Sequence, residues 1–231
     1  MKRVVQPELL DVLPPTDPRA IRSRRDLCRV NAWMRNHVIF SRAVRNAVGN
    51  TPPRHLTELG AGDGQFLLRI ARELAPLWPD VNVTLLDQRE TIEDSTVAEF
   101  GALGWNAQPM IRDVRDWADS DIRASDVVVA NLFLHHFSER DLTRILRTAA
   151  TRSRVFIAVE PRRGAWPLFC SRLLWIIGCN SVTSYDAPVS VHAGFAGQEL
   201  SALWTGANSD WKLTETSAGP FSHLFVAQRK N

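Results

Sequence analysis

The chain is poor in cysteine, lysine, tyrosine and unbroken apolar sequence, and each shortage removes a class of protein. Its three cysteines, Cys28, Cys170 and Cys179, form no CxxC pair and no Cys/His quartet. Neither a disulfide framework nor structural zinc is expected, and no metal site is read. Sparse cysteine fits a reducing, cytoplasmic setting. The opening residues lack the apolar core of a signal peptide, because Pro7, Pro14, Pro15 and Pro18 interrupt them. The longest apolar stretch, Ala165 to Cys179, is broken by Pro167, Ser171, Arg172 and Gly178 and falls short of the roughly 20 residues that a spanning helix needs. No transmembrane segment is expected, while peripheral membrane contact stays open.

Net charge is small as well. The 231 residues carry 28 basic side chains, 25 Arg and 3 Lys, against 25 acids, for a formal +3. That balance hides an asymmetry: residues 1–55 hold 11 basic and 4 acidic side chains, or +7, and residues 56–231 hold 17 and 21, or −4. A basic front suits nucleic acid or an anionic surface only if its Arg residues share one face. Coding bias is the plainer source of the arginine, and only Arg19 to Arg45 cluster visibly.

Residues 1–18 are proline-rich and aperiodic, so they read as an arm that wraps or frays. From Arg19 to Val48, apolar residues such as Ile21, Leu27, Val30, Met34 and Val38 recur at three- and four-residue steps, predicting one or two amphipathic helices. Gly49, Pro52 and Pro53 close that segment. The expected division is an arm and helical cap over 1–50 and a main domain over 51–231.

Beyond residue 50, β-type runs alternate with helical patterns. Strands are predicted near His55–Leu59, Val81–Leu86, Gln108–Arg112, Asp126–Asn131, Val155–Glu160, Trp211–Thr216 and Leu224–Gln228, and helices near Gln65–Ala75, Thr91–Leu103, Glu139–Ala150 and Gly197–Trp204. This alternation predicts a parallel sheet with helices on both faces. The short link Ser217–His223 predicts that the last two strands pair as an antiparallel hairpin.

Chemistry enters with Glu58-Leu59-Gly60-Ala61-Gly62-Asp63-Gly64-Gln65. A strand runs into a glycine turn that opens a helix, so the backbone can approach a ligand closely and the helix start offers free N–H groups. The dinucleotide fingerprint begun at Gly60 needs glycine or alanine where Gln65 stands, which disfavours NAD. With an acid followed by GxGxG, the segment resembles motif I of the class I S-adenosylmethionine-dependent methyltransferases. The resemblance covers residues 55–160 by motif, and it implies a Rossmann-like, doubly wound, mostly parallel seven-stranded sheet ending in the antiparallel hairpin. It also implies S-adenosylmethionine as cofactor, with Glu58, Gly60, Ala61, Gly62 and Gly64 around its methionine and ribose portions.

Three more strand ends fit the family pattern. Asp87, with Gln88 beside it, matches the acid that accepts the ribose hydroxyls; a helix cap is its structural alternative. Asp113 resembles the acid that meets the adenine amino group, with the Val114 N–H facing the ring; a solvated acidic turn competes. Asn131 ends the apolar fourth strand, a position that the resemblance implies borders the transferred methyl group. No NPPY-type signature of base methylation is present, because Leu132 and Phe133 stand where its prolines would be.

Methyl transfer to a hydroxyl needs at most a hydrogen-bond acceptor, so His135 and His136 lead as catalytic candidates. Glu160, at the end of the fifth strand, is expected either to face the acceptor or to pair with Arg162 or Arg163. A long insertion at about 162–197 reads as a lid or substrate segment, and Trp33, His37, Trp166 and His192 complete the expected pocket. The favoured function is O-methylation of a small hydrophobic, phenolic or lipid-like acceptor by a monomer or homodimer. Nucleic acid is not favoured. Alternatives are an RNA or protein methyltransferase using the basic front, or a non-catalytic S-adenosylmethionine-binding partner subunit.

Overall fold

The computed structural model describes residues 1–14, 16–49, 51–119, 124–204 and 210–230, so Pro15 and residue 50 at the expected boundary lie outside it. In chain order come α1 (Leu9–Val12), α2 (Pro18–Met34), α3 (Asn36–Val48), β1 (His55–Leu59), α4 (Gln65–Leu74), β2 (Asn82–Asp87), α5 (Asp94–Ala102), β3 (Asn106–Ile111) and α6 (Val114–Asp119). Next are β4 (Val127–Asn131), a 3-10 turn (Leu134–His136), α7 (Glu139–Arg152), β5 (Val155–Pro161), α8 (Ala165–Ser171), a second 3-10 turn (Leu174–Ile177), α9 (Ser181–Ala193), α10 (Glu199–Leu203), β6 (Trp211–Ala218) and β7 (Ser222–Arg229).

The seven strands form one sheet in the order β3-β2-β1-β4-β5-β7-β6. All the pairings are parallel except β5 with β7 and β6 with β7, so only β7 runs against the rest. Sequence explains the placement. The four valines and alanines that open β4, and every residue of β5, are buried, as central strands covered on both faces require. The β3 strand lies at an edge, where Pro109 costs no shared ladder bond. Two apolar clusters, one on each face, hold the helices down: Leu67, Ile70 and Phe100 belong to one, and Leu142, Ile145 and Trp204 to the other.

The front of the chain is built into this body. Two helices form there, split by Arg35 in the left-handed region at φ 55°. Asp17 caps α2 through the Arg19 N–H, and Pro18 stands at its first position, where a missing N–H costs nothing. Phe40, Ala43, Val44 and Ala47 of α3 join the first core cluster, and Phe40 meets Phe66 edge-on at 5.4 Å. Several exposed α2 arginines have partners within the chain: Arg19 on Asp17, Arg29 on Asp26 and Arg22 on the Gly178 carbonyl. The prolines of the arm break any long periodicity, yet a single turn, α1, forms. Its first N–H groups, of Leu9 and Leu10, are accepted by the buried carboxylate of Asp186 at 2.7 and 3.0 Å.

Candidate active site

The sheet order reverses between β1 and β4, and their carboxyl ends open a crevice there. Gly60, Gly62 and Gly64 come after β1 with φ of 69°, 56° and 74°, a conformation that strains any residue with a Cβ. The N–H groups of Gly60 and Ala61 bond the Leu86 carbonyl at 2.8 and 3.0 Å, which anchors the turn to β2. A Cβ on Gly60 would lie 2.1 Å from the Phe133 ring, whereas one on Gly62 would meet nothing within 4 Å. One glycine is thus closed by the loop after β4, and the other is open.

Asp87 ends β2 and accepts the Gly62 N–H at 2.8 Å and the Arg89 N–H at 2.9 Å, with Gln88 exposed beside it. Glu58 is buried in β1; its Oε2 has no hydrogen-bond partner among the described residues. Burial, with the Asp63 and Asp87 carboxylates adding, pushes its carboxyl well above the usual range. The Oδ1 of Asn131, at the end of β4, is also buried without a partner among the described residues. Leu132 is next, with φ 50°, an uncommon conformation for a side chain of that size, held by its N–H on the Val159 carbonyl. Asp113 is gripped by Arg115 through Nε, Nη2 and the backbone N–H, which holds its carboxyl below the usual range; Val114 beside it is buried at the start of α6.

Glu160 settles between its two expected roles by taking neither. It is fully buried, accepts the N–H groups of Phe133, Leu134 and His135 at 3.1, 2.8 and 3.3 Å, and meets His135 Nδ1 at 2.8 Å. Its carboxylate caps the 3-10 turn that presents the histidines. Arg163, one of the partners expected for it, pairs with Glu199 instead. His135 is therefore locked, and its Nε2 lies 3.5 Å from Glu8. Burial lowers the His135 pKa, but the bonds with Glu160 and Glu8 outweigh that and raise it to about 9. His136 is more open, lies with its ring tilted 35° to that of His135 at 4.2 Å between centroids, and turns Nδ1 to Asp11 at 3.3 Å.

Residues 57–154 match the family model of a methyltransferase domain. That stretch, less than half of the chain, is similar in sequence to methyltransferase domains. The fold is similar to that of the plantazolicin methyltransferase BpumL, solved in complex with SAH, at 15% identity over 93% of this chain and 92% of that one, with a TM-score of 0.67. It is similar also to an O-methyltransferase family protein from Burkholderia thailandensis, at 18% identity, 93% and 60% coverage and a TM-score of 0.59. The pyocyanin biosynthetic protein PhzM stands at 15% identity, the same coverages and 0.59. No curated protein matches the chain in sequence. Its residues fit the cofactor chemically: the unpartnered Glu58 and Asn131 oxygens and the open flank of Gly62 lie at the reversal point of the sheet.

The arm supplies groups that sequence reasoning missed. Arg3 lays its guanidinium over the Phe195 ring and donates to the carbonyls of Ala193, His135 and Phe137. Val4 donates to the carbonyl of His192, which lies half-buried at the end of α9. Glu8, paired with His135 and Ser190, and Asp11, paired with His136 and touched by Arg89, come to rest on the histidine pair. Burial works to raise the Glu8 pKa; the bond with His135 and the other contacts hold it below the usual range. Glu8, Asp11 and Asp17 are scattered along an aperiodic arm, and nothing in its sequence signalled that two of them belong here. The expected pocket aromatics scatter. Trp33 is 67% exposed at the end of α2 and Trp166 is 60% exposed, stacked on Phe169, while His37 lies toward Arg69 and Glu73 of α4.

Proposed function

We propose that this methyltransferase acts on an oxygen of a small, largely apolar acceptor that reaches the carboxyl edge of the sheet between the glycine turn and the His135–His136 turn. The observation that carries the reading is the placement of that pair: Glu160 fixes the turn bearing it, and Phe133 of the same turn packs on Gly60. S-adenosylmethionine, when bound, supplies a methyl group on a cationic sulfur. Gly60, Ala61, Gly62 and Gly64 with Glu58 hold the amino-acid end, Asp87 and Gln88 the ribose hydroxyls, Asp113 and the Val114 N–H the adenine, and Asn131 borders the methyl.

In-line transfer asks the chain for alignment, exclusion of water and a group that meets the acceptor's hydroxyl. His136, oriented by Asp11 and the less buried of the two rings, is that group. The arm and the insertion α8–α9 cover the edge and exclude water. Exposed Trp166, Phe169, Trp175 and Ile176 on that insertion favour an apolar acceptor. Arg19 and Arg29 each have an acid beside them and Arg22 a backbone carbonyl, which leaves less of their charge for phosphate and disfavours RNA. Oxygen as the acceptor atom is in keeping with the name of one structural neighbour, the O-methyltransferase family protein.

The test is S-adenosylhomocysteine formation by the full chain with a panel of phenols, quinones and fatty acids. Turnover of a hydroxyl or carboxyl compound is the expected result. Turnover confined to amines, peptides or RNA overturns the acceptor assignment, and no turnover with any class favours the non-catalytic alternative.

A further inference from the structure

A set of two histidines and one carboxylate lies where the arm meets the sheet. One oxygen of Glu8 and one nitrogen each of His135 and His136 come within 4.8 Å of one another. The Glu8 Oε1 to His135 Nε2 distance is 3.5 Å. Ligand atoms around a tetrahedral ion bound at 2.0–2.1 Å stand roughly 3.3 Å apart, so this pair already has the spacing. His136, the least buried of the three, closes the remainder by a side-chain adjustment.

The second shell is the stronger argument. Each imidazole has Nδ1 at a carboxylate, His135 at Glu160 (2.8 Å) and His136 at Asp11 (3.3 Å). A metal-bound histidine is fixed in this way, its Nδ1–H given to a carboxylate and its Nε2 lone pair left for the ion. Here two rings are so oriented by separate carboxylates, one from β5 and one from the arm, and the third ligand comes from the arm as well.

We propose that Glu8, His135 and His136 bind a divalent transition-metal ion of the zinc class. Two imidazoles and one carboxylate suit zinc, cobalt(II) or iron(II), whereas magnesium and calcium prefer oxygen ligands. Three protein ligands leave a coordination position open on the side of His136. Its role rests on the function proposed above and changes one part of it: with the ion bound, His136 is a ligand instead of the hydroxyl's partner, the acceptor's hydroxyl oxygen takes the open position, and its proton passes to water. Binding itself does not depend on that role. Because Glu8 belongs to the arm and the histidines to the turn after β4, the ion also ties the arm across the edge of the sheet.

The experiment uses tag-free full-length protein, stripped with a chelator, desalted and titrated with Zn²⁺ or Co²⁺ without any acceptor. One equivalent should bind, the cobalt(II) protein should show the visible bands of a four- or five-coordinate ion, and zinc should raise the melting temperature. Glu8→Gln and His136→Ala should each weaken binding by at least about tenfold, and Asp11→Asn by about 10- to 100-fold. S-adenosylmethionine binding, measured by calorimetry, should stay as in the native chain and shows that the variants fold. Absence of a bound equivalent in the native chain, or undiminished binding in the Glu8→Gln/His136→Ala double variant, overturns the proposal. A failed acceptor screen with intact metal binding removes the O-methylation reading and leaves the site standing; the reverse pattern removes the site alone.

Discussion

Gly60 and Gly62 form a matched pair in which backbone strain is shared and steric space is not. Both lie in the left-handed region, at φ 69° and 56°, so alanine at either position costs about 1–2 kcal/mol from the Cβ–carbonyl clash. At Gly60 the new Cβ would also stand 2.1, 2.4 and 2.6 Å from three carbons of the Phe133 ring, against 3.4–4 Å for ordinary contact. The ring has to retreat by more than about 1 Å, and overpacking of that kind costs a further ~1–3 kcal/mol. At ~2–4 °C per kcal/mol for a chain of this size, Gly62→Ala should lower the melting temperature by about 2–8 °C, and Gly60→Ala by clearly more. Calorimetry with S-adenosylmethionine supplies the second axis. Gly62→Ala should abolish binding despite its milder effect on stability, because its open flank is where the ligand approaches. A double-mutant cycle with Phe133→Ala isolates the clash and should return a coupling of ~1–3 kcal/mol. Equal stability losses at the two glycines, or no coupling to Phe133, would refute the steric argument. Native affinity in Gly62→Ala would refute the cradle.

Three further outcomes rest on named contacts. Glu160→Gln removes a buried charge that faces three backbone N–H groups and His135; urea unfolding should show a loss of about 3–5 kcal/mol, and a loss under about 1 kcal/mol would contradict the capping role. Asp186→Ala should expose the Leu9 and Leu10 amides to hydrogen exchange while α7 stays protected, and unchanged protection at those two amides would mean that the arm is held elsewhere. Glu215 is buried, and although burial raises its pKa, bonds from His223 and from the Ser201 and Leu200 N–H groups keep it below 4.5. A depressed folded-state pKa means that its stabilisation is present above the unfolded value and is lost as pH falls through the folded one. The unfolding midpoint should therefore drop below about pH 4.5 in the native chain, and the drop should be shallower in Glu215→Gln; parallel acid limbs would exclude Glu215 as a cause.

The site was legible in part. Glycine spacing and the acids at strand ends stand out because their constraint is local: a left-handed turn needs glycine wherever it occurs, and a strand end that meets a ligand carries its acid or its turn within a few residues. Asp87 was open to two readings, a ribose acceptor or a helix cap; it caps no described helix, since Glu93 stands before α5, and it accepts the Gly62 and Arg89 N–H groups at the end of β2. The role of Glu160 was not legible, because its donors lie on another strand's loop, 25 to 27 residues earlier. The histidines were visible, but their partners were not.

What the sequence determined by itself is the order of elements, the central valine-rich strands and the left-handed glycine turn, because periodicity and backbone conformation are fixed by near neighbours. Only the tertiary structure decided what covers that framework. Arg3 reaches Phe137 across 134 positions, and Glu8 reaches Ser190 across 182. The basic front carries its meaning in two of its four acids, which the arm lays on His135 and His136. Such contacts arise from how helices and arm pack on a finished sheet, where burial and charge pairing act across space and leave no period or spacing along the chain.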